Sequence, residues 1–158
     1  MKKNDNDMNI KTESKFKVGD WVIDKQGIVH QIANVVENVT NHTYGYDTVD
    51  GDYFNDSTED VRHWDIRVDA KDGDILTNDN DIILFKGYKP FYRTDFHCMY
   101  NEELDIFCTW ALVVNLRKTT NYHPATKEQR KLLFQKISEN GYFWDSKNMR
   151  LIKKIIKT

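Results

Sequence analysis

Cysteine is nearly absent from this 158-residue chain: Cys98 and Cys108 are the only two, and no Cys-x-x-Cys pair exists. Zinc takes about four ligands at chelating spacing, so His97-Cys98 with Cys108 falls short of a centre. The two thiols sit symmetrically about Glu103 and read as reduced, half-buried groups facing each other across one hairpin. Seven Gly and two Pro leave no linker or low-complexity stretch. No apolar run reaches the length of a membrane span, and Met1 to Ser14 is polar and charged, without the hydrophobic stretch of a signal peptide. A cytoplasmic location without a membrane partner is therefore expected. Catalytic signatures are missing as well. His30, His42, His63, His97 and His123 are scattered without a motif, no Ser sits in a nucleophile elbow, and no Gly-rich loop precedes a helix. Calcium would need a loop spacing that no segment provides. The expectation is a protein that is not an enzyme and holds neither cofactor nor metal.

What the chain does have is aromatic mass, charge and an internal repeat. Four Trp, eight Tyr and eight Phe supply the material of a real core. The net charge of −2 hides an asymmetry: residues 1–110 carry 12 basic and 22 acidic side chains, residues 111–158 carry 11 and 3. Such a split steers partners, or draws two halves of one fold together.

Phe16-Lys17-Val18-Gly19-Asp20-Trp21-Val22-Ile23 recurs in outline as Ala70-Lys71-Asp72-Gly73-Asp74-Ile75-Leu76-Thr77, a Lys-x-Gly-Asp turn opening a strand. Eight residues past each glycine, Gly27-Ile28-Val29 lines up with Asp81-Ile82-Ile83. A period of this kind marks a duplicated supersecondary unit. In the first copy, strands are predicted over 20–24 and 28–36, through Tyr44-Gly45-Tyr46, at Tyr53-Phe54 and over 63–66. Asp50-Gly51 is read as a type I′ hairpin turn. In the second, strands are predicted near 75–77, 82–85, 91–100 and 104–114, with a turn at Asn101-Glu102-Glu103.

The ending is different. Thr126 caps a helix and Gln129, three residues on, reaches back to complete a capping box. Leu133, Phe134 and Ile137 form its packing face, and Asn140-Gly141 stops it. Tyr142-Phe143-Trp144, a turn at 145–148 and a strand over 149–156 make a hairpin. The fold expected is mainly β (α+β): two SH3-like antiparallel β modules in tandem with a C-terminal helix plus β-hairpin. Residues 1–15 form a flexible tail, 16–68 and 69–122 the modules, and 123–158 a helix–hairpin tail packing on the second.

The segment opening His123-Pro124-Ala125-Thr126-Lys127-Glu128-Gln129-Arg130, running through Leu132-Leu133-Phe134-Gln135-Lys136 and closing Asn140-Gly141-Tyr142-Phe143-Trp144-Asp145, resembles the ending of a family of uncharacterised proteins. These are carried by gut Bacteroides-type bacteria and their phages. The blocks at 16–23 and 69–76 are similar to its two internal blocks, so the likeness covers most of the chain after residue 15. No family activity comes with it. The resemblance implies a mobile-element setting and a bacterial host cytoplasm.

Two charged surfaces remain as candidates. Between Tyr44 and Asp81 lie twelve acids, led by Asp47, Asp50, Asp52, Asp56, Glu59 and Asp60. Carboxylates spaced on a β scaffold imitate a row of phosphates and occupy the groove of a basic nucleic-acid-binding enzyme. The plainer reading is that Asp is a favoured turn residue. At the other end Lys147, Arg150, Lys153 and Lys154 lie beside Trp144, the charge and ring that a single-strand binder needs, or a solubilising edge. The expectation is an interaction protein of phage or mobile-element origin, an inhibitor of a host defence nuclease acting through the acidic surface. Its alternatives are a nucleic-acid-binding module using the basic hairpin, and a structural or virion accessory protein. Oligomeric state stays open.

Overall fold

The computed structural model describes residues 13–89, 93–109 and 122–155. The expected tail before Glu13 and the strand readings at 91–92, 110–114 and residue 156 lie outside the described residues. The chain divides into two compact units, residues 1–63 and 64–158.

The first unit is a five-stranded antiparallel sheet: β1 (Trp21–Ile23), β2 (Val29–Asn38), β3 (Thr43–Thr48), β4 (Tyr53–Asn55) and β5 (Arg62–His63), in the order β4-β3-β2-β1-β5. Strand alternation sends Val22, Ile32, Tyr46 and Phe54 to one face, where they bury Phe16 and Val61 as a core. Phe16 meets Tyr46 and Phe54 edge-on at 5.3 and 5.8 Å. Lys15, expected in the mobile tail, is tied down: its backbone N–H donates to the Tyr46 hydroxyl and its ammonium to the Val61 carbonyl.

The second unit opens with a short helix, α1 (Ile66–Asp69), continues through β6 (Ile75–Thr77), β7 (Asp81–Lys89), β8 (Arg93–Asn101), β9 (Ile106–Cys108) and β10 (His123–Pro124), and ends in α2 (Lys127–Glu139), β11 (Tyr142–Asp145) and β12 (Arg150–Lys153). Its sheet runs β9-β8-β7-β6-β10, strand for strand the order of the first unit. The opening turns also match. Gly19 and Gly73 take φ of +91° and +94°, a region that favours glycine. Their N–H groups donate to the carbonyls of Ile32 and Phe85, each at 2.8 Å, and the carboxylates of Asp20 and Asp74 accept from the N–H of Lys17 and Lys71.

The equivalence slips by one residue after the first strand. Val22 pairs with His30, while its counterpart Leu76 pairs with Ile83. So His30 corresponds to Ile83 and Val29 to Ile82, one residue away from the alignment read off the glycines. A one-residue slip exchanges the two faces of a strand, so the correction matters for every side chain on β2.

Other expectations shift for local reasons. Residues 63–66 are not a continuous strand, because Asp65 accepts the N–H of Arg67 and caps α1. Asp50-Gly51 is not a type I′ turn: only Gly51 has positive φ, in a three-residue connection closed by the Thr48 N–H on the Asp52 carbonyl at 2.8 Å. Cys108 pairs with Met99, not Cys98. The connection Glu102–Asp105, with Asp105 at φ +51°, moves the register, and the two cysteines enter different clusters on opposite faces. Burial pushes the Cys98 thiol up to about 12.

The second sheet is covered on both faces. Leu76, Ile83, Phe85, Phe96, Cys108, Tyr122 and Ile66 fill one cluster. On the other, Ile75, Ile82, Leu84, Cys98 and Tyr100 meet Leu133 and Ile137 of α2, with Tyr142, Trp144 and Leu151 of the hairpin packed beside them. The Thr126–Gln129 capping box forms in both directions, and Gly141 follows the helix at φ +84°. Phe134, expected on the packing face, is exposed, since the covered stripe runs along Leu133 and Ile137 with Leu132 packed beside them.

Candidate functional site

β2 carries a histidine inward. His30 is in phase with Ile32 on the core face and its side chain is only 5 % exposed. Nε2 lies 3.0 Å from Asp24 Oδ2, and Asp24 is held by the backbone N–H groups of Gln26 and Ile28 at 2.8 and 3.0 Å. On the other side of the ring, Nδ1 lies 3.1 Å from Asp50 Oδ2 and 3.6 Å from Asp52 Oδ2. The hydroxyl of Thr48, itself buried, donates to Asp50 Oδ1 and accepts the Asp52 N–H at 2.9 Å. One short loop thus delivers both carboxylates to the same nitrogen.

The electrostatics follow from this placement. Burial opposes charge on His30, but the hydrogen bonds to Asp24 and Asp50 outweigh it and hold the imidazole above its ordinary value of 6.5. The Thr48 hydroxyl, and after it the imidazole, holds Asp50 below 3.8. Asp24 is raised by burial, yet the His30 contact and the two N–H groups pull it further, and it too lies low. A cavity of about 260 Å³ opens alongside, lined by Asp24, His30, Asp52, Tyr53, Glu59 and Val61 among others.

A second feature occupies the opposite face of the same sheet. Val36, Gly45, Asp47 and Tyr53 are in register across β2, β3 and β4 and line a groove of about 940 Å³ with Glu37, Asp56 and Val39. The Tyr53 ring lies against Gly45, where a Cβ would meet the Tyr53 hydroxyl at 2.5 Å, so this glycine makes room for the ring. Tyr53 is 63 % exposed and Val36 50 %. No Lys, Arg or His lines the groove among the described residues. In the second unit the matching face lies beneath α2 and the hairpin.

The expected acidic belt is therefore divided. Asp52 and Glu59 line the His30 cavity and Asp50 contacts the His30 ring, while Asp47 and Asp56 border the groove. Asp56 also accepts the Tyr44 N–H and the Tyr46 hydroxyl, each at 2.8 Å. Asp60 is an exposed turn residue at φ +60°. Farther along, Asp65 and Asp74 serve local partners (Arg67 and the Lys71 N–H), the turn-building role that Asp has in general, while Asp72 and Asp81 meet His97 and Asn101 of β8.

The basic hairpin is less coherent than its sequence. Trp144 packs against His97, ring centres 4.7 Å apart, and joins the core beside Tyr142. Arg150 lies 3.8 Å from Asp145, and Lys154 donates to Ser138. Lys147 and Lys153 are exposed, as is Phe143.

Sequence reasoning missed His30 and Asp24. The one signal for His30 was its phase with Ile32, and nothing local announces a group drawn from positions 24, 30, 50 and 52. No helix among the described residues is long and apolar enough to cross a membrane. No family model matches the chain, and neither a curated protein nor a solved structure matches it.

Proposed function

We propose that this chain is a non-enzymatic interaction protein built on two SH3-like modules, the first of which docks a basic protein partner on its outer sheet face. A meander whose fifth strand returns beside the first supports the SH3-like reading in both units. The observation that carries the function is the groove: Glu37, Asp47 and Asp56 surround exposed Tyr53 and Val36 with no cation on its lining among the described residues. Tyrosine offers a large contact area and carboxylates select an Arg- or Lys-bearing segment. Given the mobile-element resemblance, a nucleic-acid-handling defence enzyme of the host is the kind of basic partner meant. The basic hairpin supports the rival nucleic-acid reading less well, because its Trp144 is spent on packing.

Photo-crosslinking tests this directly. A benzophenone side chain at position 53 should capture one protein, and the same group at position 147 should not. With that protein purified, Asp47→Lys and Tyr53→Ala should each weaken binding about tenfold or more. Capture from position 147 alone, or of nucleic acid in place of protein, would overturn the proposal.

A further inference from the structure

We propose that His30, Asp50 and Asp52 form a binding site for a borderline divalent transition cation of the zinc class, with Asp24 as the residue that orients the imidazole. This site lies on the core side of the first sheet; Tyr53 lines both its cavity and the groove on the outer face, but none of the three ligands lines the groove.

The repeat supplies the first argument. At the position of His30 the second unit places Ile83, fully buried in an apolar cluster. The strand order and opening turn are the same in both units, so this scaffold does not need a histidine there. Burying an imidazole among carboxylates is costly compared with an aliphatic side chain. A group retained against that cost points to a ligand.

Proton counting gives the second. Both ring nitrogens of His30 face carboxylate oxygens. A neutral imidazole has one N–H, and Asp24, fixed by two backbone donors, takes it at Nε2. In that neutral form Nδ1 turns a lone pair, on a ring only 5 % exposed, toward the carboxylate oxygens of Asp50 and Asp52. Lone pair against lone pair is repulsive. Either a second proton or a metal cation resolves it, and both are cations at one spot.

The geometry fits the metal. Bonds of about 2.0–2.2 Å to nitrogen and oxygen set tetrahedral ligand-to-ligand edges of roughly 3.3–3.6 Å. Nδ1 lies 3.6 Å from Asp52 Oδ2, at the top of that range, and 3.1 Å from Asp50 Oδ2, a little short of it, and the three ligand atoms lie within 4.8 Å of one another. Asp24 on Nε2 is the carboxylate partner that a metal-bound histidine commonly has, fixing tautomer and ring orientation. Thr48 clamps Asp50 and the Asp52 backbone, so two ligands are positioned in advance. The adjoining cavity leaves room for a water as fourth ligand. An imidazole nitrogen with two carboxylates favours zinc-class ions over magnesium or calcium, whose preferred ligands are all oxygen.

The test uses the full chain, stripped with EDTA and titrated calorimetrically with Zn²⁺ at neutral pH, with Co²⁺ absorption as a second readout. One equivalent should bind, with Mg²⁺ and Ca²⁺ at least about a hundredfold weaker. Asp52→Asn, at a side chain 66 % exposed, should cut Zn²⁺ affinity at least about tenfold without disturbing the fold. His30→Ile should abolish it and Asp24→Asn weaken it, while His63→Gln and His97→Gln, which remove two other acid-paired histidines, should leave it unchanged. A separate heteronuclear spectrum should show the His30 ring shifting on Zn²⁺ addition. No saturable binding below millimolar Zn²⁺, or binding equally strong in Asp52→Asn and His30→Ile, overturns the site. Because none of these variants alters Asp47 or Tyr53, loss of the metal site and loss of the partner groove are read separately.

Discussion

The two units share one strand order and one opening turn, yet they diverge on both faces of the sheet. In the second unit the outer face is Ile75, Ile82, Leu84, Cys98 and Tyr100, and the chain adds a helix and a hairpin to cover it. The corresponding positions of the first two strands in the first unit are Trp21, Val29 and Gln31, only partly buried, and β3 and β4 continue that face with Asp47 and Tyr53. On the inner face the first unit replaces an isoleucine with His30 and surrounds it with acids. A duplicated scaffold makes such departures readable, because its sister copy shows what packing alone requires. At the positions matched to Trp21, Val29, His30 and Gln31 the second copy places buried aliphatic side chains, though it buries Thr77, Thr94 and Asp95 elsewhere. The first departs from it at His30 and across the groove.

The sharpest way to break this comparison is to exchange its inner-face residues. Ile83→His should be the most damaging change. It removes a buried aliphatic worth about 1.5–3 kcal/mol and leaves an imidazole to be desolvated without built partners, for roughly 3–5 kcal/mol in all. His30→Ile in metal-free protein should cost less, about 1–2 kcal/mol, because the carboxylates it leaves without their cation, Asp24, Asp50 and Asp52, keep side-chain exposures of 24 %, 52 % and 66 %. Denaturant unfolding followed at amides of β2 and β7 separates the two units. Equal losses would mean that His30 is a structural requirement.

The outer faces give the next contrast. Leu84 and Gln31 occupy the same register position, opposite Ile75 and Trp21. Leu84→Ala should cost about 2–5 kcal/mol, because it opens a cavity beneath α2. Gln31→Ala should change stability by no more than about 0.5 kcal/mol. If the two cost the same, the first unit's outer face is a core like its counterpart and the groove loses its standing.

Third comes the shared turn. Alanine at Gly19 or Gly73 must adopt a positive φ, at a cost of about 1–2 kcal/mol. At Gly73 the new Cβ would also sit 3.2 Å from Met149 Sδ and 3.5 Å from the Trp144 ring, whereas at Gly19 it meets nothing within 4 Å. Gly73→Ala should therefore lower Tm more than Gly19→Ala, and the reverse order would place the strain elsewhere.

These contrasts also mark what was legible in the sequence. The Lys-x-Gly-Asp turn and the Thr126–Gln129 capping box were readable because their hydrogen bonds close within three residues. Hairpin register was not. It depends on how many residues each connection spends and on positive φ at Asp105, so the cysteine pairing came out one residue wrong and on the wrong faces. The same single-residue slip set His30 against Leu84 instead of Ile83 and so concealed the clearest departure in the repeat. Asp24 and Asp50 join His30 only through strand pairing, which no local pattern encodes. The α1 cap was a local signal in principle, but the alternation of His63-Trp64-Asp65-Ile66 hid it.

The smallest expected effect is a difference in pH dependence. In metal-free protein the folded His30 has its pKa above 6.5, so it contributes stability fully below that value and loses it as pH rises through the folded pKa. Asp24 and Asp50 are held below 3.8, so their contribution is present above 3.8 and lost as pH falls through their lowered values. The first unit should therefore be most stable between 3.8 and 6.5 and weaken on the alkaline side. Among the shifted groups of the second unit, Asp105, Glu139 and Asp145 are held low by hydrogen bonds from Tyr100, Gln135 and Asn148, while Cys98 is pushed up to about 12. None of these titrates in the range just above 6.5, where His30 loses its proton. Amide exchange in EDTA, corrected for intrinsic rates, should show opening free energies falling in β1 and β2 across that range while β6 and β7 hold level. His30→Ile should flatten the first profile onto the second, and added Zn²⁺ should flatten it as well, because the metal takes the place of the proton that is lost. Parallel slopes in the two units, or a slope that survives His30→Ile, would remove His30 as the source of the difference.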